Sequence, residues 1–255
     1  MKTILIIGIG AGDPDYVTIQ AINALNRTDV FFMLDKGASK RKLLTLREEI
    51  CRRYIKHRNY RFLDATSPEW ERGAADYRAT IDALNDDKRA LFERLIADGM
   101  ADGECGAFLV LGDPALYDST VRIIAAIATS GARDIEYEVI PGISAVQALA
   151  AKHKIALNLI GEPVEITTGR KLAEGLSENS DSIVVMLDAH NTYRQFADQD
   201  IDIFWGAYIG TPDEILIAGK LKVVAEQIER VRTAARQANG WIMDTYLIRR
   251  NRGKG

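Results

Sequence analysis

Cysteine and histidine are scarce in this 255-residue sequence: two cysteines, Cys51 and Cys105, and three histidines, His57, His153 and His190. The cysteines have no partner at a metal-ligand or redox spacing, so both are expected to be plain side chains in a reducing compartment, and a cytoplasmic location is expected. Three scattered histidines do not build a metal site, and none is expected. No apolar run approaches the roughly 20 residues that span a bilayer, so a membrane partner is not expected. A signal peptide is not expected either, because "ILII" at positions 4–7 is too short for an apolar core and runs straight into a glycine turn. The net charge of −3 gives no global reason to bind nucleic acid. Nucleophile signatures are missing too: there is no G-x-S-x-G, and Ser119 and Ser144 have no histidine near them in sequence; a phosphate-binding P-loop is missing as well, since no glycine loop runs into G-K-[ST].

What is present is ordinary for a globular protein, with 47% apolar and 27% charged residues over a length that suits one large domain or two small ones. Short apolar runs at 3–7, 30–34, 107–111 and 136–140 read as strands. Helical patterns follow at 19–25, where Ile19, Ile22 and Leu25 repeat at three-residue spacing, and at 121–129 and 144–153. Residues 38–106 are highly charged and read as a mainly helical insert outside the sheet, with an extended piece near Tyr60–Leu63. From about Asn158 strand-like runs dominate ("VEITT", "SIVVML", "IFWGAYI", "EILIAGKL", "WIMDTYLI"), and the last helix spans 224–239. The pattern predicts an α/β protein with a parallel-sheet domain at 1–154, carrying the insert, and a second α/β domain with a mixed sheet at 155–255.

Three loops share one logic. "GIGAGDP" (8–14), "LGDPALYDS" (111–119) and "PGISA" (141–145) each follow an apolar strand and open toward a helix. Ligands of open α/β sheets bind beyond the carboxyl ends of the strands, so the three predict one shared crevice. A dinucleotide turn would need glycine where Asp13 stands, and a carboxylate there would repel a pyrophosphate. Gly-Asp-Pro recurs at 112–114. Asp113 either caps the following helix or presents its carboxylate to a ligand; the residues alone leave both open. "MLDAH" offers Asp188 and His190 as an acid/base pair or as a solvated strand-end turn, and the turn is the better reading of that stretch alone. The basic cluster at 52–61 reads as a solvated helix face, and Trp205 and Trp241 as core.

Taken together, "GIGAGDPDYVT", "LGDPALYDS", "VIPGISAVQALA", "VVML" and "GTPDEILIAGKL" fall in the order found in the tetrapyrrole (corrin/porphyrin) methyltransferases, and the sequence resembles that family over nearly its whole length. "LNLIGEPVEITTGRKL", "GWIMDTYLIRR" and "LYDST" are similar to a branch of the aerobic cobalamin route that methylates precorrin-5 at C-1 and releases acetate; the long charged insert also fits that branch. Two departures stand out: many relatives have proline at the position of Ala11, and glycine at that of Leu111.

The resemblance implies two α/β domains with a cleft between them (the class III methyltransferase fold), a homodimer, S-adenosylmethionine as methyl donor with S-adenosylhomocysteine as product, and a tetrapyrrole acceptor. By position it assigns the cofactor to Leu111, Gly112, Asp113, Leu116, Ser144, Ala145, Met186, Ala207 and Gly210. It assigns the acceptor to Gly10, Ala11, Gly12 and the cations Lys36, Arg170, Lys171 and Arg249. Release of acetate calls for water and a general base, for which Asp13, Tyr117, Asp118 and His190 are the candidates. Other acceptors within the family and a non-catalytic binder of the cofactor are the alternatives. An RNA acceptor is disfavoured because the sequence has no basic groove studded with aromatics.

Overall fold

The computed structural model describes residues 1–35, 37, 41–57, 59–68, 77–131 and 134–251. The expected substrate cation Lys36 and the basic tail beyond 251 lie outside them. The chain divides into two compact units, Met1–Ser144 and Ala145–Gly255.

In the first unit the strands β1 (Lys2–Gly8), β2 (Val30–Asp35), β3 (Arg61–Thr66), β4 (Cys105–Val110) and β5 (Ile135–Ile140) form a sheet of order β3-β2-β4-β1-β5. All four pairings are parallel. A parallel strand needs a crossover, and buried parallel strands read as continuous apolar runs, which is why "ILII" and "VFFML" were legible. Alternate side chains serve two cores. Leu5, Ile7, Phe31 and Leu109 pack under α1 (Ile19–Leu25) and α2 (Arg41–Tyr54). Ile4, Ile6, Phe32 and Phe108 pack under α3 (Tyr77–Gly99) and α4 (Thr120–Thr129). Thr18 Oγ1 accepts from Ala21 N at 3.0 Å and starts α1. The inward face of α1 is Ala21, Ala24 and Leu25, whereas Ile19 is 77% exposed, so the apolar repeat found the helix but not its whole buried face.

Two expectations are corrected here. The charged stretch 38–106 is not an insert outside the sheet: β3 pairs with β2 along its length, and α2 and α3 are the layers covering the two faces. Its helices bury one stripe and solvate the rest, so their charge hid their place in the core. Cys51 fits its expected role as a plain side chain, for burial pushes its thiol up to about 12 and Cys105 up to about 11. The second correction concerns the boundary at 154. Helix α5 (Ala145–His153) belongs to the second unit, because it packs on strands of that unit's sheet and His153 Nε2 lies 3.0 Å from Trp205 O.

The second unit holds β6 (Val164–Thr168), α6 (Gly169–Leu172), β7 (Ser182–Met186), β8 (Ile201–Ala207), β9 (Ile215–Lys220), α7 (Leu221–Asn239) and β10 (Asp244–Arg250). The sheet order is β6-β7-β10-β8-β9; only β6 and β7 run parallel, as the mixed-sheet reading required. Trp205 is fully buried in the core under α7, while Trp241 packs at its margin. Among the described residues no helix is long and apolar enough to cross a membrane, and no cluster of His, Cys, Asp and Glu could hold a metal.

Candidate functional site

The three glycine loops meet in the first unit through main-chain atoms. Gly10 and Gly112 form an antiparallel bridge, with Gly112 N donating to Gly10 O at 2.7 Å and Gly10 N to Gly112 O at 3.3 Å. A Cβ on Gly8 would lie 2.6 Å from Gly142 N, and one on Gly142 would lie 2.2 Å from Gly112 O. Only glycine allows that approach. Gly112 differs: its φ is +73°, and a Cβ there would meet nothing nearer than Ser144 Cα at 3.7 Å. The backbone at Gly112 therefore has room beside it, which fits the cradle expected for the cofactor.

The two readings of Asp113 resolve into a third. One carboxylate oxygen accepts from Ala115 N and the other from Gly142 N, both at 2.8 Å. The side chain turns its own loop and stitches it to the loop at 141–144. Asp118 Oδ1 accepts from Thr120 N at 2.7 Å and so restrains the entry to α4. Asp13 Oδ1 accepts from Asp15 N at 2.9 Å and caps the short 3₁₀ turn Pro14–Tyr16. Tyr117, between these groups in sequence, is 46% exposed and holds φ at +53°. A bulky residue in that region marks strain, which concentrates at functional loops. Leu111, Leu116 and Asp113 are half-buried, Gly10, Ala11, Gly12 and Ser144 buried.

In the second unit, Met186 and Ala207 reach one edge of the sheet. Thr245 pairs with both Met186 and Gly206, and Asp244 pairs with Ala207. Thr168 pairs with Met186, so Arg170 and Lys171, on α6, start from the same edge. Lys171 is also tied to Glu174 at 2.5 Å on the surface. Gly210 lies three residues past β8, and its N–H is taken by Glu214 Oε2 at 2.7 Å, which narrows what it offers a ligand. Backbone strain gathers along this edge, with Leu187, Asn191 and Tyr208 all at positive φ.

Two stretches that the sequence singles out are held by the protein's own contacts. Arg249 lies at the opposite end of β10, paired across to Ser182 and Asp202, about 13 Å of strand away from the Met186 edge. Its guanidinium donates to Ala156 O at 2.6 Å and Leu157 O at 3.2 Å, so it anchors the chain after α5 and is not placed with the Met186 edge to receive substrate. Asp188 and His190 follow the turn reading of that stretch, the one preferred on its residues, and not the acid/base one. The buried Asp188 carboxylate accepts from His190 N at 2.9 Å, Thr192 N at 2.7 Å, Thr192 Oγ1 at 2.8 Å and Tyr246 OH at 2.7 Å. That carboxylate is a turn staple, and among the described residues it leaves the exposed His190 with no orienting acid. Beneath it Arg232 donates to Asp188 O at 2.6 Å and pairs with Asp244 at 2.8 Å, while Trp205 Nε1 donates to Asp244 at 3.0 Å. Burial pushes the Asp244 carboxyl up, against the opposing pull of Arg232.

Two cations that the sequence reading missed bracket the loop at 111–119. Arg47, on α2, donates from Nε to Leu109 O at 3.0 Å and from Nη1 to Leu43 O at 2.9 Å. Lys88, on α3, donates to Ser119 Oγ at 3.4 Å. Both sit on helices whose charge reads as solvated, so only their three-dimensional position marks them.

The main-chain convergence of Gly8, Gly10, Gly112 and Gly142 makes a strand-end platform in the first unit. The tetrapyrrole (corrin/porphyrin) methylase family model matches residues 3–225, and the chain belongs to that family of methyltransferases. It is 45% identical over 250 residues, 98% of this chain and 96% of the other, to precorrin-6A synthase (deacetylating) of Sinorhizobium sp.. It is 36% identical to a cobalamin synthesis related protein (CobF) of Corynebacterium diphtheriae, whose crystal structure it matches with a TM-score of 0.83 over 98% of both chains. A uroporphyrin-III C-methyltransferase of Thermus thermophilus complexed with S-adenosylhomocysteine matches at TM-score 0.61 over 96% of both chains; at 16% identity that likeness shows the fold.

Proposed function

We propose that this chain is a precorrin-6A synthase: it transfers a methyl group from S-adenosylmethionine to C-1 of precorrin-5 and releases the extruded acetyl group as acetate. The 45% identity to the deacetylating synthase, spread over 98% of the chain, carries the reading. When bound, S-adenosylmethionine supplies a methyl already activated on a sulfonium. What the protein adds is alignment away from water, worth up to ~7–11 kcal/mol of the barrier for well-oriented reactants. Leu111, Gly112, Asp113, Leu116 and Ser144 are the first unit's proposed cofactor contacts; Ala145, Met186, Ala207 and Gly210 are the second unit's. Gly10, Ala11 and Gly12 are proposed to face the acceptor, with Arg170 and Lys171 for its carboxylates. For the water step, Asp13 and Asp118 are the preferred bases, since each uses one carboxylate oxygen in its turn and keeps the other. Tyr117 is retained beside them for its strained, exposed position.

Incubation with precorrin-5 and methyl-labelled cofactor is expected to give singly methylated product and acetate in equal amounts. Methylation without acetate would mean another ring carbon, and cofactor binding without turnover would mean a binder. A homodimer and a cytoplasmic location belong to the same proposal and are checked by light scattering and by cell fractionation.

The stitch by Asp113 gives a sharper test of the loop assignments. Asp113→Ala removes two hydrogen bonds to a charged acceptor and frees the loop at 141–144. Calorimetry is expected to show about 10- to 100-fold weaker S-adenosylhomocysteine binding. Asp13→Ala, which loses only a local cap, is expected to change it by less than about threefold. The reverse order would overturn the division of labour between the two loops.

A further inference from the structure

The sheet of the first unit has a split that none of the glycine loops explains. Strands β2 and β4 are paired only from Val30 and Gly106 to Phe32 and Phe108, although β2 runs on to Asp35 and β4 to Val110. The two strands also feed opposite faces: α2, which follows β2, covers one core, and α4, which follows β4, covers the other. Neighbouring strands whose connections leave in opposite directions open a crevice at their carboxyl ends, where α/β proteins take up ligands. Val110 O turns toward β1 and accepts from Ile9 N at 2.9 Å. By alternation Leu109 O turns the other way, into the split, and there it accepts from Arg47 at 3.0 Å.

The Arg47 guanidinium is thus fixed by two main-chain carbonyls, those of Leu109 and Leu43. Among the described residues no carboxylate lies within ion-pair distance of it; Asp118 acts on it only from farther away. Two of its five N–H donors are used, and the remaining ones lie on Nη1 and Nη2, the edge that grips a carboxylate in bidentate fashion. Burial pulls its pKa below the ordinary arginine value, the mark of a cation that has given up water without an anion in return. A partly desolvated, oriented guanidinium at the carboxyl end of the sheet is suited to receive a carboxylate. Lys88 approaches the same loop through Ser119, from the helix on the other face.

We propose that Arg47, in the split between β2 and β4, binds a side-chain carboxylate of the tetrapyrrole acceptor and so sets the register of the macrocycle on the glycine platform. The inference rests on the acceptor proposed above, a macrocycle carrying many carboxylates.

The test is Arg47→Gln, read by steady-state kinetics with precorrin-5 beside calorimetry with S-adenosylhomocysteine. The expected result is a KM about 10- to 100-fold higher, the loss of one charge-assisted bidentate contact, with kcat within about threefold and cofactor affinity unchanged. Arg47→Lys keeps the charge but not the fork and is expected to raise KM at least about threefold; it is the variant read if the glutamine variant does not fold. A lowered melting temperature with a wild-type KM would reduce Arg47 to a clamp between α2 and β4 and overturn the proposal. If the wild-type protein does not turn over precorrin-5, the reaction reading falls. Arg47 is then judged by fluorescence titration with uroporphyrin III, where equal affinity of wild type and Arg47→Gln would overturn it.

Discussion

Gly142→Ala is expected to abolish cofactor binding while leaving the second unit folded. The new Cβ would sit 2.2 Å from Gly112 O and 2.9 Å from Gly8 Cα. Both neighbours are backbone, so neither can swing aside as a side chain would. Overpacking of this kind costs on the order of 3 kcal/mol when the surroundings cannot give. Here the cheapest relief is for the loop at 141–144 to lift away from the other two, which breaks the Asp113 to Gly142 hydrogen bond. The penalty then falls on the ligand platform more than on global stability. Calorimetry with S-adenosylhomocysteine is expected to show a loss of more than about 100-fold. Thermal unfolding is expected to show only a small decrease. Wild-type affinity in the alanine variant would mean that the convergence of the three loops has no part in cofactor binding.

The largest loss of stability is expected from Arg232→Ala. Arg232 and Asp244 are almost fully enclosed, with side chains 8% and 6% exposed. Removing the cation leaves Asp244 buried with Trp205 as its remaining hydrogen-bond donor, and removes the donor to Asp188 O. Breaking a buried pair from one side typically costs about 3–5 kcal/mol. Denaturant unfolding measures this directly. The sign of its pH dependence follows from Asp244. A carboxyl whose pKa is raised on folding binds more protons folded than unfolded, so its penalty grows as pH rises through the unfolded value and shrinks in acid. Burial already pushes Asp244 up in the wild type, and loss of Arg232 removes the main opposing pull. The gap between variant and wild type is therefore expected to narrow as pH falls from the variant's folded value toward the wild type's, a window that lies above the ordinary aspartate value of about 4, and to stay constant below it. A pH-independent gap would mean that Asp244 stays charged and solvated without its partner. The double change Arg232→Met with Asp244→Leu is expected to recover much of the loss, because it leaves no uncompensated charge.

Much of this architecture was legible because periodicity and burial coincide. The buried parallel strands are unbroken apolar runs, and each loop carries its glycine where two backbones touch. The family motifs could be read for the same reason, since Gly8 and Gly142 mark contacts that tolerate no side chain and Gly112 holds a left-handed turn with φ +73°. The errors have equally physical causes. Helices α2 and α3 are charged on the side facing solvent, so the apolar stripe that seats them, with Ile50, Phe92 and Ile96 among its members, was outvoted by lysine and arginine. Arg249 is close to a motif in sequence but lies at the other end of β10 from Thr245, a separation that closeness in sequence does not reveal. At "MLDAH" the preferred turn reading fits, since the Asp188 carboxylate takes the main-chain amide of His190. Arg47 gave no signal at all. Its significance lies in the direction of the Leu109 carbonyl, a property of sheet register that residue types do not encode.

The backbone contact among the glycine loops also determines how the site is written genetically. At Gly8 and Gly142 the instruction is a prohibition: nineteen of the twenty residue types add a Cβ where main-chain atoms already lie. Such positions have no second-best letter, and a saturation library will show them as uniformly intolerant. Tyr117, on the same loop as Gly112, is exposed and carries no such veto of space, so descent can rewrite it while the frame stays the same. A fold specified partly by what is forbidden can thus hold one donor chemistry constant while its acceptor drifts.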